Sequence, residues 1–507
     1  MNNFVLNKQK EDNYMLKIRN ILFRFLPFAA VAAAVSCAGN GSYNPEPADD
    51  TVRFMVFSDL HYMHPDILVN EGKAFDEYNA EECKMLRESG AILDAAIEKA
   101  RLQRPGFVII CGDMTKDGEV ICHRKIAESF RKLEEETGTR VYVVPGNHDM
   151  NNPHSLYYDG DNTSEAESAT EEQFAAIYSD LGYDEAVERR EGALDYMAYP
   201  AEGLAFIGVD SNEKNTKEKL MVQGGLTREQ TEWIKTMAQK AHSDGRYVIM
   251  SMHHNLVDFY DNAQLIRGAN IANARYEDYD NRSLVNDLCD AGIDVVFSGH
   301  SHMHSITSAE SGSRTIYSIV TSSLVNLPVA YRCGAVTKDG RMTLTSGNLR
   351  NCMPAGEKSL QEKGEEYWQD LTDYYMKEAS DKAWDAAGTV LSLTLGFKDK
   401  AALREFLDKN VRDVFYTFLL RTSDGNEHLF TPKANYSEAE EALGKLLELF
   451  EQKHILNILD LILNIVFGSS VDGIHTQFSE FFHSAYFNYL GNGPVMPDDA
   501  IEIQLTR

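Results

Sequence analysis

The stretch VVFSGHSHMH, from Val295 to His304, ends a run of apolar residues with three histidines in five positions. The apolar part is short and β-branched, which favours a buried strand. Two interpretations of the histidines are open, because they could decorate the surface or act as ligands held at the end of that strand. The pattern Gly-His-x-His decides little alone, since the chain contains 15 histidines. The choice depends on which side chains stand at the ends of the other strands.

Short β-branched runs alternate with amphipathic stretches after residue 50, which predicts a layered α/β domain. The helix predicted over residues 225–242 begins with a capping box, because Thr227 is the N-cap and Gln230 stands three positions later. Apolar residues at helical spacing predict another helix over residues 81–103. Strands with a KDG turn are expected over residues 315–349, as a meander that finishes a second sheet. Six further strands are predicted over residues 52–58, 107–111, 140–144, 204–210, 246–252 and 293–299.

The pattern becomes helical after Pro354 and predicts an all-helical C-terminal domain. Residues 401–421 place large apolar side chains on one face of a helix. Residues 455–467 are apolar almost all round, but thirteen residues fall short of the ~20 that a membrane-spanning helix needs. We therefore interpret this segment as a buried helix of a bundle.

The chain is strongly acidic, with 49 basic and 78 acidic residues and a formal net charge of −29. Such a surface repels nucleic acids and anionic membranes. No stable nucleic-acid complex is therefore expected. The composition is 43% hydrophobic, so the chain can bury a sizeable core.

The N-terminus has the layout of a secretory signal, with basic residues before an apolar run that ends in small residues at Cys37. We expect translation to start at Met15. The apolar run is too short for a membrane-spanning anchor. The junction AVSC resembles a bacterial lipobox, although Ala34 stands where such boxes usually carry Leu. The expected location is therefore extracytoplasmic, in the periplasm or on the cell surface, with the membrane contacted only through a lipid on Cys37. The predicted divisions are a signal peptide at 1–37, a tether at 38–50, an α/β domain at 51–352 and the helical domain at 353–507.

Side chains that can bind metal ions come directly after nearly every predicted strand. The carboxyl ends of strands meet at one crevice of an open α/β sheet, so these side chains should converge. Carboxylate, amide and imidazole donors without thiolate suit manganese, iron or zinc. The five blocks are FSDLH with Asp59 and His61, CGDM with Asp113, PGNHD with Asn147 and His148, SMHHN with His253 and His254, and SGHSH with His300 and His302.

In this order, the five blocks resemble the calcineurin-like metallophosphoesterase superfamily over residues 51–349. The resemblance implies a four-layer β-sandwich of two mixed sheets flanked by helices, with two divalent metal ions at the strand ends. It implies that Asp113 bridges the metals, that His148 donates a hydrogen bond or proton to the substrate, and that Asp149 orients His148. The remaining implied ligands are Asp59, His61 and His302 for one metal and Asn147, His253 and His300 for the other. Of the neighbouring histidines, His254 is interpreted as a supporting or core residue, and His304 as either pocket wall or surface.

The blocks also bear on the substrate. Protein Ser/Thr phosphatases of this superfamily carry a phosphate-binding Arg that GDMTKDGE and GNHD lack, and GNHDMNNP, SMHHN and YSIVTSSLVNLPVAYR resemble bacterial class III cyclic-nucleotide phosphodiesterases. The motif loops carry Lys116 but no Arg, whereas a phosphomonoester dianion needs additional positive charge. The segment with Arg267, Arg275 and Arg282 is the one that could supply that charge.

We therefore expect a metal-dependent phosphoesterase in which a metal-activated water attacks a small phosphodiester, with a cyclic nucleotide as one candidate. One alternative is a phosphomonoesterase or nuclease of the same superfamily. The other is a non-catalytic surface binding protein on an esterase scaffold.

Overall fold

The computed structural model describes residues 51–82, 84–214, 220–257, 272–274, 281–353, 358–371 and 500–507, with residues 398, 399, 401, 402 and 405. The predicted signal peptide and tether, and most of the predicted helical domain, lie outside these residues. Of the helices in the described part of the chain, none combines the length and apolarity needed to cross a membrane.

The described part includes nineteen strands and six α-helices with defined bounds, besides the shorter elements and helical residues named last. In chain order the strands are β1 (Thr51–Phe57), β2 (Leu68–Asn70), β3 (Phe107–Ile110), β4 (Arg140–Val143), β5 (Leu156–Asp159), β6 (Asn162–Glu165), β7 (Glu188–Arg189), β8 (Tyr196–Ala201), β9 (Leu204–Val209), β10 (Asn212–Lys214), β11 (Leu220–Leu226), β12 (Tyr247–Met252), β13 (Ala272–Ala274), β14 (Val295–Ser298), β15 (Ser305–Ser311), β16 (Arg314–Val320), β17 (Ala330–Thr337), β18 (Arg341–Asn348) and β19 (Ala500–Gln504). The helices are α1 (Lys73–Glu82), α2 (Ser89–Gln103), α3 (Val120–Thr137), α4 (Glu171–Ile177), α5 (Arg228–Ser243) and α6 (Asn281–Asp290). Pro65–Ile67 is a 3-10 turn, Ser179–Tyr183 a π-helical turn, and residues 360–371 are also helical.

Two large mixed sheets dominate the fold. The first has six strands in the order β19-β18-β17-β1-β3-β4, and the second has seven in the order β15-β16-β14-β12-β9-β8-β7. In the first sheet β1, β3 and β4 are parallel, and in the second β9, β12, β14 and β16 are parallel. Two three-stranded sheets, β10-β11-β13 and β2-β5-β6, complete the strands.

Aromatic side chains join the two large sheets face to face. Phe54 of β1 stacks on Phe107 of β3 at 5.1 Å between ring centroids, and its ring also meets the edge of Phe297 of β14 at 5.7 Å. Tyr142 of β4 contacts Phe206 of β9 at 5.4 Å. Because the contacts of Phe54 with Phe297 and of Tyr142 with Phe206 each join one sheet to the other, a single apolar core lies between the sheets.

Helices cover the sheets elsewhere. On the second sheet, α5 and α6 bury Ile234 and Leu288 in a separate cluster with Val248 and Val296. All four residues of β3 are buried, so both faces of the first sheet are covered. The helices α2 and α3 contribute buried residues to the same core cluster as β3. The prediction of a mixed α/β fold with helices around mixed sheets is confirmed.

Two details differ from the predictions. The helix expected over residues 81–103 is two helices, because the backbone N–H of Met85 donates to Val325 at 2.7 Å and draws the intervening residues out of helical geometry. The strands expected to finish the second sheet are divided between the sheets. The strand β16 belongs to the second sheet, whereas β17 pairs with β1 and carries β18 into the first.

Two described segments after the predicted boundary at 352/353, residues 358–371 and 500–507, contact the sandwich. Leu360 is buried in the main core, and Gly364 approaches Leu327 so closely that a Cβ would lie 2.6 Å from it. The strand β19 pairs antiparallel with β18, and Thr506 binds Asp294 just before β14, with its backbone N–H donating at 2.5 Å. The expectation of helix throughout residues 353–507 is therefore wrong for β19.

Candidate metal centre

The predicted ligands lie in short loops at the ends of the central strands β1, β3, β4, β12 and β14. Five of the seven predicted ligands have positive φ angles, a backbone conformation uncommon outside glycine. Strained backbone of this kind persists where the surrounding structure holds it, and it is concentrated at functional sites. The five are Asp59 (50°), His61 (37°), Asp113 (49°), His300 (63°) and His302 (59°).

Asp59, His61 and His302 form the first group of ligand-type side chains. The Nε2 atoms of His61 and His302 lie 3.1 Å apart. Oδ1 of Asp59 lies 3.4 Å from Nε2 of His302 and 3.9 Å from Nε2 of His61. The three donor atoms lie within 4.8 Å of one another. Imidazole nitrogens and a carboxylate oxygen facing one point are the donor set of a divalent cation.

Asn147, His253 and His300 form the second group. Oδ1 of Asn147 lies 2.9 Å from Nδ1 of His300 and 3.2 Å from Nε2 of His253. Nδ1 of His253 contacts the carbonyl oxygen of Cys111 at 2.7 Å, so Nδ1 carries a proton and Nε2 is the ring nitrogen that remains for a metal ion. The lone pair of Nε2 then faces the other two side chains, as a metal ligand requires.

Asp113 lies between the two groups. Its Oδ2 atom is 3.2 Å from Nε2 of His253 and 3.7 Å from Nε2 of His61. Its Oδ1 atom accepts a hydrogen bond from the backbone N–H of His148 at 2.7 Å. Burial raises the pKa of Asp113, but His253 and His148 outweigh it and hold the pKa well below its usual range. An ionised carboxylate in this position can bind a cation in each group.

His148 is oriented by Asp117 and not by Asp149. Nδ1 of His148 lies 2.8 Å from Oδ1 of Asp117 and 3.0 Å from the carbonyl oxygen of Lys116, so the other ring nitrogen remains for a substrate. Tyr78 donates to the second oxygen of Asp117 at 2.7 Å. Burial and the Lys84 ammonium lower the pKa of His148, but Asp113 and Asp117 raise it above the usual 6.5.

Asp149 instead ties two ligand loops together. Its carboxylate accepts from the backbone N–H groups of Met114 and Gly146, both at 2.8 Å, and from that of Thr115 at 3.1 Å. The expected role for Asp149 is therefore corrected, because its carboxylate is fully engaged by these backbone donors. Asp117 was missed although it belongs to the block GDMTKDGE, since the spacing does not show that this loop folds back onto His148.

The calcineurin-like phosphoesterase family matches residues 52–304, which include the seven predicted ligands and His148. Over this span the chain belongs to that family. A family of this kind binds two divalent metals, and the two groups described above are candidates to hold them. No curated protein matches the chain.

Solved structures similar to this calcineurin-like phosphoesterase include a dimetal phosphatase from Danio rerio, at 15% identity over 59% of this chain and 96% of that chain, with a TM-score of 0.39. Another is GAP50, the anchor in the inner membrane complex of Plasmodium, at 11% identity over 64% of this chain and 95% of that chain, with a TM-score of 0.33. At TM-scores below 0.5 these likenesses carry no inference about activity.

Two further histidines of the calcineurin-like phosphoesterase support its loops. The ring of His254 contacts Ser211 Oγ at 2.9 Å and the carbonyl oxygen of Val222 at 3.0 Å, which agrees with the supporting role expected for it. His304 is buried, and its Nε2 contacts Ser346 Oγ on β18 at 2.7 Å. The interpretation of His304 as a surface residue is therefore wrong.

Proposed function

We propose that this metal-dependent phosphoester hydrolase is a phosphodiesterase for small substrates, with a cyclic nucleotide as one candidate. The observation that carries the proposal is the carboxylate of Asp113 between two groups of ligand-type side chains. Two divalent cations held there would supply a nucleophilic water of lowered pKa and would neutralise phosphoryl oxygens. The proposed ligands are Asp59, His61, Asp113, Asn147, His253, His300 and His302. The metal is manganese, iron or zinc.

The side chains around His148 suit it to protonate an alcohol or nucleoside oxygen as that oxygen leaves the phosphorus. Asp117 holds Nδ1 of His148, so the opposite nitrogen can donate a proton to the leaving oxygen. Burial raises the pKa of Asp117, but Lys116 and His148 outweigh burial and hold the pKa below its usual value. The carboxylate is therefore ionised. An ionised carboxylate at 2.8 Å stabilises the protonated ring that general acid catalysis needs.

The charge around the site supports a diester over a monoester. The ammonium of Lys116 is buried 2.5 Å from Asp117 and 3.1 Å from Glu119, so neighbouring carboxylates neutralise it. Arg267 and Arg275 lie outside the described residues, as does the side chain of Arg282. In the alternative of a phosphomonoesterase, these arginines would supply the positive charge that a monoester dianion needs.

The test compares three substrates at matched metal loading. Hydrolysis of bis-p-nitrophenyl phosphate and cyclic nucleotides should exceed that of p-nitrophenyl phosphate in kcat/KM. A clear preference for the monoester would overturn the diester assignment and leave the metal centre intact. Hydrolysis of none of them, with two metal ions bound per chain, would favour a non-catalytic binding protein.

We also propose that the protein is extracytoplasmic and anchored by a lipid on Cys37, in a segment outside the described residues. The sequence AVSC and the polar tether after it support this proposal. In a Gram-negative host the protein should fractionate with membranes, and Cys37→Ser should release it. A soluble mature protein that begins at another residue would exclude the anchor but not the signal peptide.

A further inference from the structure

An ion pair outside the five predicted metal-binding blocks lies at the C-terminal end of α1. It joins Glu82, the last residue of the helix, to Lys84. Nζ of Lys84 is 2.7 Å from Oε2 of Glu82, and the side chains are 6% and 28% exposed. A lysine is seldom buried without a reason, because removing its charge from water is costly.

Contacts on both sides place this pair beside the metal centre. On one side, Tyr78 of α1 donates to Asp117, the residue that holds His148. Glu82 lies one helical turn after Tyr78 and therefore on the same face of α1.

On the other side, the backbone N–H of Met85, the residue after Lys84, donates to Val325 at 2.7 Å. Two residues before Val325, the hydroxyl of Ser323 donates to the backbone oxygen of Asp59 at 2.8 Å. Lys84 thus lies between two contacts with the site. One runs through Tyr78 and Asp117 to His148, and the other runs through Val325 and Ser323 to Asp59.

The electrostatics agree with this position. Burial lowers the pKa of His61, and the Lys84 ammonium adds to this effect. At His148 burial and the ammonium oppose Asp113 and Asp117, which raise the pKa overall. Burial also lowers the pKa of Lys84 itself, but Glu82 and Asp117 outweigh it and raise the pKa above its usual value. The ammonium therefore stays charged at neutral pH and acts on both rings.

We propose that Lys84 contacts a non-bridging phosphoryl oxygen of the substrate and that Glu82 sets how much positive charge this contact offers. An ammonium carries three N–H donors, and the contact with one Glu82 oxygen uses one of them. Since Glu82 cancels the charge of Lys84, the pair adds about zero net charge, which suits a singly charged diester. Without Glu82, the cation would favour the dianion of a monoester. This inference rests on the proposed function and names a specificity-determining pair for it.

The experiment measures kcat and KM for bis-p-nitrophenyl phosphate and p-nitrophenyl phosphate, with metal content determined for each variant. Glu82→Gln should raise the monoester-to-diester ratio of kcat/KM by about tenfold, the effect of one charge-assisted contact. Lys84→Met should lower kcat/KM for both substrates, mainly through KM, and Lys84→Arg should restore most of the loss. The control is Glu77→Gln, which removes the same charge from an exposed pair with Lys73 on the same helix and should leave the ratio unchanged.

A ratio that stays within twofold in Glu82→Gln, at full metal content, would overturn the inference. If Lys84 were only structural, Lys84→Met would lower thermal stability and leave KM unchanged. If Lys84→Met does not fold, Glu82→Gln and Lys84→Arg still decide the question, because the pair's charge is altered in one and kept in the other. Failure of the wild-type protein to hydrolyse either ester would count against the proposed function and not against this pair alone.

Discussion

At the scale of single residues, Asp113 is the side chain on which both ligand groups depend. Asp113→Asn removes the negative charge between Nε2 of His61 and Nε2 of His253. We expect both metal ions to bind more weakly together and hydrolysis to be lost. Elemental analysis after equilibrium dialysis checks the metals, and an ester assay checks the activity. Full activity with two metal ions bound would show that the bridging role is misassigned.

His148 and its partner should affect turnover without affecting the metals. His148→Ala should lower kcat by ~10²–10⁴-fold, the usual contribution of general acid catalysis, while metal content stays near that of the wild type. Asp117→Asn should lower kcat in the same direction, because the ring loses the carboxylate at 2.8 Å. Asp149→Asn should act differently. It should lower the thermal stability, because the carboxylate accepts backbone N–H groups from two ligand loops. Loss of metals in His148→Ala would contradict the assigned role.

Positions after strands were enough to predict which side chains meet, because strand ends share one edge of a sheet. Strand position predicted that the side chains of the five blocks would converge, and the choice of seven ligands among them came from the resemblance to the metallophosphoesterase superfamily. The structure brings those seven side chains together. Asp117, Tyr78 and Lys84 were not predicted as part of the site. Their positions depend on how α1 and the loop after β3 fold back, which is a tertiary contact that spacing along the chain does not encode.

At the scale of elements, a contact between α3 and β4 should make the folding stability of the protein depend on pH. Glu134 of α3 accepts the backbone N–H of Val141 at 2.7 Å. The pKa of Glu134 is raised from 4.5 to about 7, mainly by burial and also by Glu185 and Asp180, although the bond from Val141 opposes the rise. A raised carboxyl pKa means that stability present below pH 4.5 is lost as the pH rises through about 7.

Glu134→Gln should therefore be more stable than the wild type at pH 8, by about 1–2 kcal/mol after allowance for solvent screening, and should differ little at pH 4.5. The amide oxygen can still accept the N–H of Val141. Urea unfolding across this pH range measures the difference. Glu135→Gln, at an exposed neighbouring position, is the control and should not change the pH dependence.

Elements with local signals were predicted well. The capping box at the start of α5 is present, with Thr227 and Gln230 exchanging both hydrogen bonds. The break between α1 and α2 was missed, because the residue that interrupts the helix bonds to Val325, far away in sequence. Patterns within a dozen residues record helix periodicity and caps, but they do not record a distant backbone partner.

At the scale of the whole molecule, the last residues hold the two large sheets together. Ile503 of β19 is buried, Thr506 binds Asp294 before β14, and Arg507 lies 4.0 Å over the ring of Tyr247 at the start of β12. Ile503→Ala should destabilise the protein by about 2–4 kcal/mol through the cavity it leaves. Thermal unfolding measures the loss, and Glu502→Ala on the opposite face of β19 is the control. Equal effects of the two substitutions would mean that β19 does not pack as described.

The sheet assignment of β17 and β18 could not be predicted from the sequence. Both strands are recognisable by their alternation and by the KDG turn, yet the residues that carry the chain from one sheet to the other have no distinctive pattern. The same holds for β19, whose five residues come after a long helical pattern. Which strand lies beside which depends on the sum of many core contacts and not on any one segment.

Because β19 pairs with β18, the residues that precede and follow the stretch 372–499 belong to one folded body. A protease that nicks the backbone there should yield two fragments that co-elute, since the smaller one keeps its hydrogen-bonded ladder with β18. The protein would then behave as a split enzyme, which retains hydrolysis until a denaturant separates the pieces. Truncation after residue 371, in contrast, would expose the edge of β18 and favour aggregation.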